Sequence, residues 1–261
     1  MQESGASHFF ALYNGRVTRR SFLAVASTAP LIAQDTGRFY APKGPPPHPT
    51  VLFIPGEFWG SASLDHNDTV CTALAHAGAA VWTLPYRRLG DPGASWSAIS
   101  EDVVRGAQHL VSLEARHGLD LTRLVAVGHA GGGHLALWLA AQRVIDLRGV
   151  VGLAPISDLR RAWTLQLDGG VVRQLLGGTP DQVPQRYAAA SPIELLPISV
   201  PQRLLHGTAD KVVPFEMSQR FAKASSNAKL IPLDGAGHTD LIDPGSRVWP
   251  TVQRAILDWP F

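Results

Sequence analysis

The chain has 261 residues, 45% of them hydrophobic and 17% charged, a balance that suits one well-buried core and excludes a highly charged, disordered chain. Its formal net charge is +2, and no basic cluster interleaved with aromatics marks a nucleic-acid partner. The single cysteine, Cys71, sits in an apolar helical run; alone it can form neither an intrachain disulfide nor a cysteine-based metal site.

Residues 1–35 do not read as part of a fold. Thr18-Arg19-Arg20-Ser21-Phe22-Leu23 precedes the weakly apolar AVASTAPLIA, and the arrangement resembles a twin-arginine export signal. It predicts export to the bacterial periplasm or the extracellular space, with the cytoplasm as the location if the signal does not function. The apolar run is shorter than the ~20 residues that span a bilayer, so no stable membrane insertion is expected after its removal. A frayed N-terminal helix is the alternative.

Residues 36–261 then read as a single domain. Gly37–Tyr40 suggests a short edge strand, and Lys43–Pro49 a stiff proline linker unable to be helix or central strand. From Thr50, strands alternate with helices. Runs rich in Val, Ile and Leu predict strands at Thr50–Ile54, Ala79–Leu84, Leu124–Gly128, Gly149–Leu153, Gln202–His206 and Ala228–Pro232. Helices are predicted at Leu64–Ala77, Ser97–His117, Gly131–Arg143, Pro214–Ser225 and Arg247–Trp259. In the second, Ile99, Val103, Ala107 and Leu110 share one face. The expected fold class is α/β: a doubly wound, mostly parallel sheet of about 6–8 strands with helices on both faces. The irregular stretch at about 158–200 breaks the rhythm and is read as a small helical cap.

Three strand-to-loop junctions carry suggestive chemistry, at the strand ends where open parallel sheets gather their reacting groups. Leu124–Gly128 turns through Gly128-His129-Ala130-Gly131-Gly132 into an apolar helix; Asp210 follows the strand Gln202–His206; His238 follows Ala228–Pro232. A fourth loop, Pro55-Gly56-Glu57-Phe58-Trp59-Gly60, follows the first core strand. Trp59, Trp96 and Trp163 are candidates to line an apolar pocket, with core or rim packing as the alternative for each. His129 and His134 are expected to pack or hydrogen-bond locally. No H-E-x-x-H or comparable ligand set occurs, so no metal is expected; no G-x-G-x-x-G follows a strand, so no dinucleotide cofactor is either.

Taken in order, GEFWG (Gly56–Gly60), TLPYRRLGDPGASW (Thr83–Trp96), GHAGGGHLALWLA (Gly128–Ala140), LLGGTPDQVPQRYAAASP (Leu175–Pro192), HGTADKVVP (His206–Pro214) and GAGHTDLIDP (Gly235–Pro244) resemble the α/β-hydrolase superfamily. The variants are similar to its esterase/arylformamidase-like group, related to prolyl-oligopeptidase-type hydrolases. The resemblance implies metal-independent hydrolysis of a small ester or amide. Asp210 and His238 would be the acid and base partners, and the amides of Glu57, Phe58 and Gly131 the oxyanion donors.

Two parts depart from the pattern. The nucleophile position holds Ala130 instead of Ser, and the oxyanion loop reads Pro55-Gly56-Glu57 instead of His-Gly-Gly. A methyl group cannot attack a carbonyl, and a Glu57 carboxylate facing the hole would oppose a developing negative charge. Four accounts stay open: an engineered Ala130, a pseudoenzyme that binds an ester- or amide-like ligand, water activated by Asp210–His238, and Glu57 acting as a catalytic carboxylate.

Overall fold

The computed structural model describes residues 37–60 and 67–259. The segment read as an export signal, and the first turn of the helix predicted from Leu64, lie outside the described residues. Seven strands are present: β1 (Arg38–Tyr40), β2 (His48–Ile54), β3 (Ala80–Thr83), β4 (Leu119–His129), β5 (Gly149–Leu153), β6 (Gln202–Gly207) and β7 (Ala228–Leu233). They form one sheet in the order β1-β3-β2-β4-β5-β6-β7. Only β1 runs antiparallel, against β3; every other pairing is parallel. This is the expected α/β class.

The chain leaves β2 for β3 on one side and returns to β4 on the other. That reversal falls at the carboxyl ends of β2 and β4, the place where such sheets take their ligands. Two of the singled-out loops, Pro55–Gly60 and Gly128–Gly132, leave the sheet there.

Both faces of the sheet are covered, which explains why its strands read as continuous apolar runs. Along β2, Leu52 and Ile54 enter one core, while Val51 and Phe53 enter the other. The first core is closed by α2 (Trp96–Ser112) and α4 (Gly131–Gln142), the second by α1 (Asp68–His76) and α9 (Trp249–Leu257). On α2, Ile99, Val103, Ala107 and Leu110 are buried, and Ser95 caps its start by accepting the Ala98 N–H at 3.2 Å. α4 is buried on every side from Gly131 to Ala140, as an apolar helix with no polar face must be.

Most element ends differ from expectation by one or two residues, and three differences reassign residues to another element. His48 and Pro49 belong to β2 and not to a linker; they pair with Leu119 and Asp120, and the register shifts at Pro49/Thr50. That pairing also starts β4 five residues earlier than its apolar run. The helix expected over Ser97–His117 divides at Leu113 into α2 and the one-turn α3 (Glu114–His117), which Gly118 ends in a left-handed conformation. Between Asp158 and Val200 lie α5 (Leu159–Thr164), α6 (Val171–Leu176) and α7 (Pro184–Ala190), with 3-10 turns at Leu167–Gly170 and Pro192–Leu195. α8 (Glu216–Ala224) follows β6.

Candidate active site

The turn from β4 into α4 holds Ala130 at φ 50°, ψ −114°, a conformation that costs a non-glycine residue about 1–3 kcal/mol. Its surroundings enforce it. A Cβ on Gly128 would stand 2.1 Å from the Gly132 carbonyl oxygen, and one on Gly132 only 2.0 Å from that of Ile54. Neither position tolerates a side chain, which is the reason for glycine on both sides of the apex. Main-chain hydrogen bonds hold the apex itself. Ala130 N–H donates to Leu153 O at 2.9 Å; Ala130 O accepts from His134 N–H at 3.0 Å and Ile156 N–H at 3.2 Å. Ala130 is almost wholly buried.

The loop after β2 lies directly against this turn. A Cβ on Gly56 would stand 2.1 Å from His129 O. Glu57, Phe58 and Trp59 all adopt left-handed φ (59°, 49° and 59°), at roughly 1–2 kcal/mol each. A buried clamp opposes that strain. Tyr86 Oη donates to Pro55 O at 2.7 Å, Arg88 Nη1 donates to Tyr86 Oη at 2.7 Å and to Gly56 O at 3.3 Å, and Leu89 N–H donates to Trp59 O at 2.7 Å. The Arg88 guanidinium lies 4.0 Å from the Tyr86 ring centre. Burial pushes the Tyr86 phenol up to about 12, with the Glu57 charge adding to the rise and Arg88 opposing it. Tyr86 is therefore a donor at neutral pH.

Sequence reasoning placed Glu57, Phe58 and Gly131 together. The structure sets the nitrogens of Trp59 and Phe58 at 3.2 and 3.4 Å from the point where a Gly131 Cβ would stand. Trp59 N was not foreseen; only the three-residue left-handed run swings it in, and motif spacing carries no sign of that. Glu57 is half-buried, with Oε2 enclosed.

Asp210 and His238 meet because the loops after β6 and β7 are pressed together. Thr208 N–H donates to Leu233 O and Ala209 N–H to Ala236 O, each at 3.0 Å, and a Cβ on Gly207 would collide with Ala236 O. His238 Nδ1–H donates to Asp210 Oδ2 at 2.7 Å. Asp210 Oδ1 accepts the N–H groups of Val212 and Val213 at 2.8 and 2.9 Å. His206 Nε2 lies 3.4 Å from Oδ2 and donates to Val213 O at 2.9 Å, so its Nδ1 accepts from Ser218 Oγ at 2.7 Å. Burial alone would raise the Asp210 pKa; the hydrogen bonds from His206 and His238 outweigh it and hold the carboxyl well below the usual carboxylate range. An ionised Asp210 fixes the proton of His238 on Nδ1 and leaves Nε2 as the basic nitrogen.

The two histidines beside the turn are both buried. His134 Nδ1 accepts from Trp59 Nε1–H at 3.1 Å, so Nε2–H donates to Ala190 O at 2.9 Å. Only the neutral ring satisfies both bonds, and burial depresses its pKa to about 4. His129 Nε2–H donates to His238 O at 3.0 Å; burial, with the neighbouring His238 charge, brings its pKa down to about 3.

Of the candidate pocket residues, Trp59 is fully buried and bonded to His134, so it is a core residue and not a pocket wall. Trp96 is half-buried and packs edge-on against Trp138 at 5.2 Å and beside His134 at 5.4 Å. Trp163 is half-buried against the same core. Among the described residues, no group of three or more His, Cys, Asp or Glu could hold a metal ion.

Comparison with known proteins gives the geometry a lineage. A probable isoprenylcysteine alpha-carbonyl methylesterase of Oryza sativa subsp. japonica is 26% identical over 231 residues, covering 77% of this chain and 54% of that protein. One from Arabidopsis thaliana is 25% identical over 232 residues, covering 77% and 48%. The chain thus spans about half the length of the curated relatives it matches. The apo form of Thermogutta terrifontis esterase 2 shares the fold with a TM-score of 0.69 at 22% identity, over 84% of this chain and 86% of that one. The BD-FAE family model matches residues 39–224, a stretch that contains Ala130 and Asp210 and ends before His238. The chain belongs to the BD-FAE family, an α/β-hydrolase-type esterase family.

Proposed function

We propose that the chain binds a small carboxylic ester or amide at the Ala130 turn without forming an acyl intermediate. Any hydrolysis it performs runs through water. The observation that carries this reading is Ala130 in a strained turn conformation, next in sequence to the His129 whose ring bonds the His238 carbonyl, with His238 hydrogen-bonded to Asp210. The costly parts of an acyl-transfer site are built, and the reacting hydroxyl is missing.

In this reading the ligand carbonyl lies over Ala130, with its oxygen toward the amides of Gly131, Phe58 and Trp59, whose neighbourhood supports that role. His238 Nε2 takes a proton from a water above the methyl group as that water bonds to the carbonyl carbon; Asp210 stabilises the imidazolium that forms, and the imidazolium returns the proton to the alcohol or amine as its bond to the carbonyl carbon breaks. The stretch 158–200 roofs the site as a small cap; Trp138 Nε1–H and His134 Nε2–H donate to Ala189 O and Ala190 O, which ties α7 to α4. Removing the serine of such a triad costs on the order of 10⁶-fold, with about 10³–10⁴-fold over water remaining.

The test is hydrolysis of short activated acyl esters and N-formyl aromatic amines by the chain and by its Ala130→Ser variant. The variant is expected to gain about a thousandfold or more in kcat/KM. A variant as inert as the parent, folded and with the Asp210–His238 hydrogen bond intact, overturns the reading.

A further inference from the structure

We propose that His129 is a positioning residue that holds His238 in register with Asp210 through its Nε2–H. The role rests on the reading above, in which His238 is the base. His238 stands at the start of the 3-10 turn Thr239–Leu241, with its ring bonded to Asp210 through Nδ1; the reading above needs its other nitrogen to face the Ala130 turn. A ring on a loop needs its backbone fixed before its rotamer can be. Three contacts bear on that backbone. Gly237 N–H donates to Asp240 Oδ2 at 2.7 Å, Ala236 is pinned by the β6 loop, and His129 Nε2–H reaches across the site to the His238 carbonyl at 3.0 Å. The last is the bond that ties the His238 loop to the Ala130 turn, because residue 129 immediately precedes the apex.

The same ring also covers one side of His238. The two ring centres are 4.3 Å apart at 44°, so His129 excludes water from that side. A carbonyl accepts only from a protonated nitrogen, which puts a proton on His129 Nε2; burial keeps the ring neutral, so that proton is its only one. The charged and titratable groups around His238 are then Asp210 beyond the end of β6, His206 within β6, Asp240 in its own turn, and His129 at the end of β4. A second cation at His129 would oppose every protonation of His238, whereas a neutral ring permits it. His129 thus acts on the base twice, through its backbone and through the charge it withholds.

The chain as it exists supports the test, since the Nδ1–H of His238 donated to Asp210 gives a downfield proton resonance whether or not residue 130 carries a hydroxyl. His129→Phe keeps the ring face and removes the donor; His129→Gln removes the ring and keeps a donor. The expected result is loss or exchange broadening of the resonance in His129→Phe and its retention in His129→Gln. Retention in both, loss in both, or loss in His129→Gln alone overturns the proposal. In the Ala130→Ser background, His129→Phe is expected to lower kcat by about tenfold to a hundredfold with KM unchanged, and His129→Gln to recover most of it. Should His129→Phe not fold, ring nitrogen shifts of the unmodified chain decide: neutral His129 protonated on Nε2 through neutral pH supports the proposal, and a cation or the Nδ1–H tautomer overturns it. An inert Ala130→Ser variant would remove the hydrolytic reading and leave the resonance test standing.

Discussion

Two turns pack against each other at the carboxyl ends of β2 and β4, and each holds non-glycine residues at positive φ by a different means. At the β4–α4 turn one residue, Ala130, carries the strain; glycines packed without room for a Cβ and main-chain hydrogen bonds hold it. At the Pro55–Gly60 loop three consecutive residues carry it, and side chains from Tyr86 and Arg88 hold them. The first turn is over-determined by backbone packing, which no side-chain substitution at the apex disturbs. The second depends in part on two specific side chains, beside the Leu89 N–H bond to Trp59 O. Strain is thus kept in the two places from which the proposed carbonyl site is built, by unlike means.

Substitutions can break that contrast. Gly132→Ala is expected to have the largest effect, because its Cβ would stand 2.0 Å from a buried carbonyl oxygen of β2. Neither backbone can yield, so the variant should lose about 3 kcal/mol or more or fail to fold, read by urea denaturation. A stability close to that of the parent would show that the turn is softer than its packing implies.

Acid should loosen the β4–α4 side of the site next. His129 and His134 are held neutral by the fold, at about 3 and about 4, against about 6.5 when unfolded. The unfolded chain therefore binds more protons below pH 6.5, and stability falls as the pH drops from there toward 4. Each histidine contributes about 2 kcal/mol between pH 7.5 and 4.5. Asp210 works in the opposite sense of charge: its depressed pKa stabilises the fold above the usual carboxylate range, and that contribution is lost only as the pH falls below about 4. Urea midpoints across this range check both windows, and a flat profile from pH 7.5 to 4.5 contradicts the neutral histidines.

The clamp is expected to matter somewhat less. Arg88→Met leaves the Gly56 carbonyl and the Tyr86 hydroxyl short of a donor, and should cost about 1–3 kcal/mol. The Trp59 indole lies against this loop, so its fluorescence should change with the substitution while the far-UV dichroism does not. An unchanged midpoint would mean that the loop holds its left-handed run unaided. The smallest effect is expected from Glu57→Gly, which relieves one left-handed residue at a gain of about 1 kcal/mol, offset in part by the greater entropy of unfolded glycine. A clear loss of stability instead would mean that the Glu57 carboxylate contributes more than its backbone costs.

The parallel sheet was legible in the chain because strands buried on both faces leave unbroken apolar runs. The strand ends were legible where Gly and Asp follow them. The early start of β4 was not, since Leu119 and Asp120 begin the strand by pairing with His48 and Pro49, a partnership between residues 71 apart. Asp210 and His238 could be placed from their order and from the strands before them. The donors and acceptors around them could not: His206 beneath Asp210, His129 behind His238 and Trp59 N beside Gly131 are set by side-chain directions that spacing does not encode. Which of the two alternatives held for Trp59, pocket wall or core, was not legible for a related reason. An aromatic on a loop looks exposed in sequence, yet the left-handed run turns this one into the core, where His134 accepts its N–H.

The apex of the β4–α4 turn is held by the Leu153 carbonyl and by the amides of His134 and Ile156, none of which involves the side chain at residue 130. Its shape is therefore indifferent to what that side chain is. Alanine and serine codons differ by a single base. A lineage carrying this fold can lose or regain a hydroxyl at the apex in one mutational step, with no refolding of its surroundings. On the reading proposed above, binder and catalyst are then adjacent genotypes, and the architecture around Ala130 is heritable capital for either.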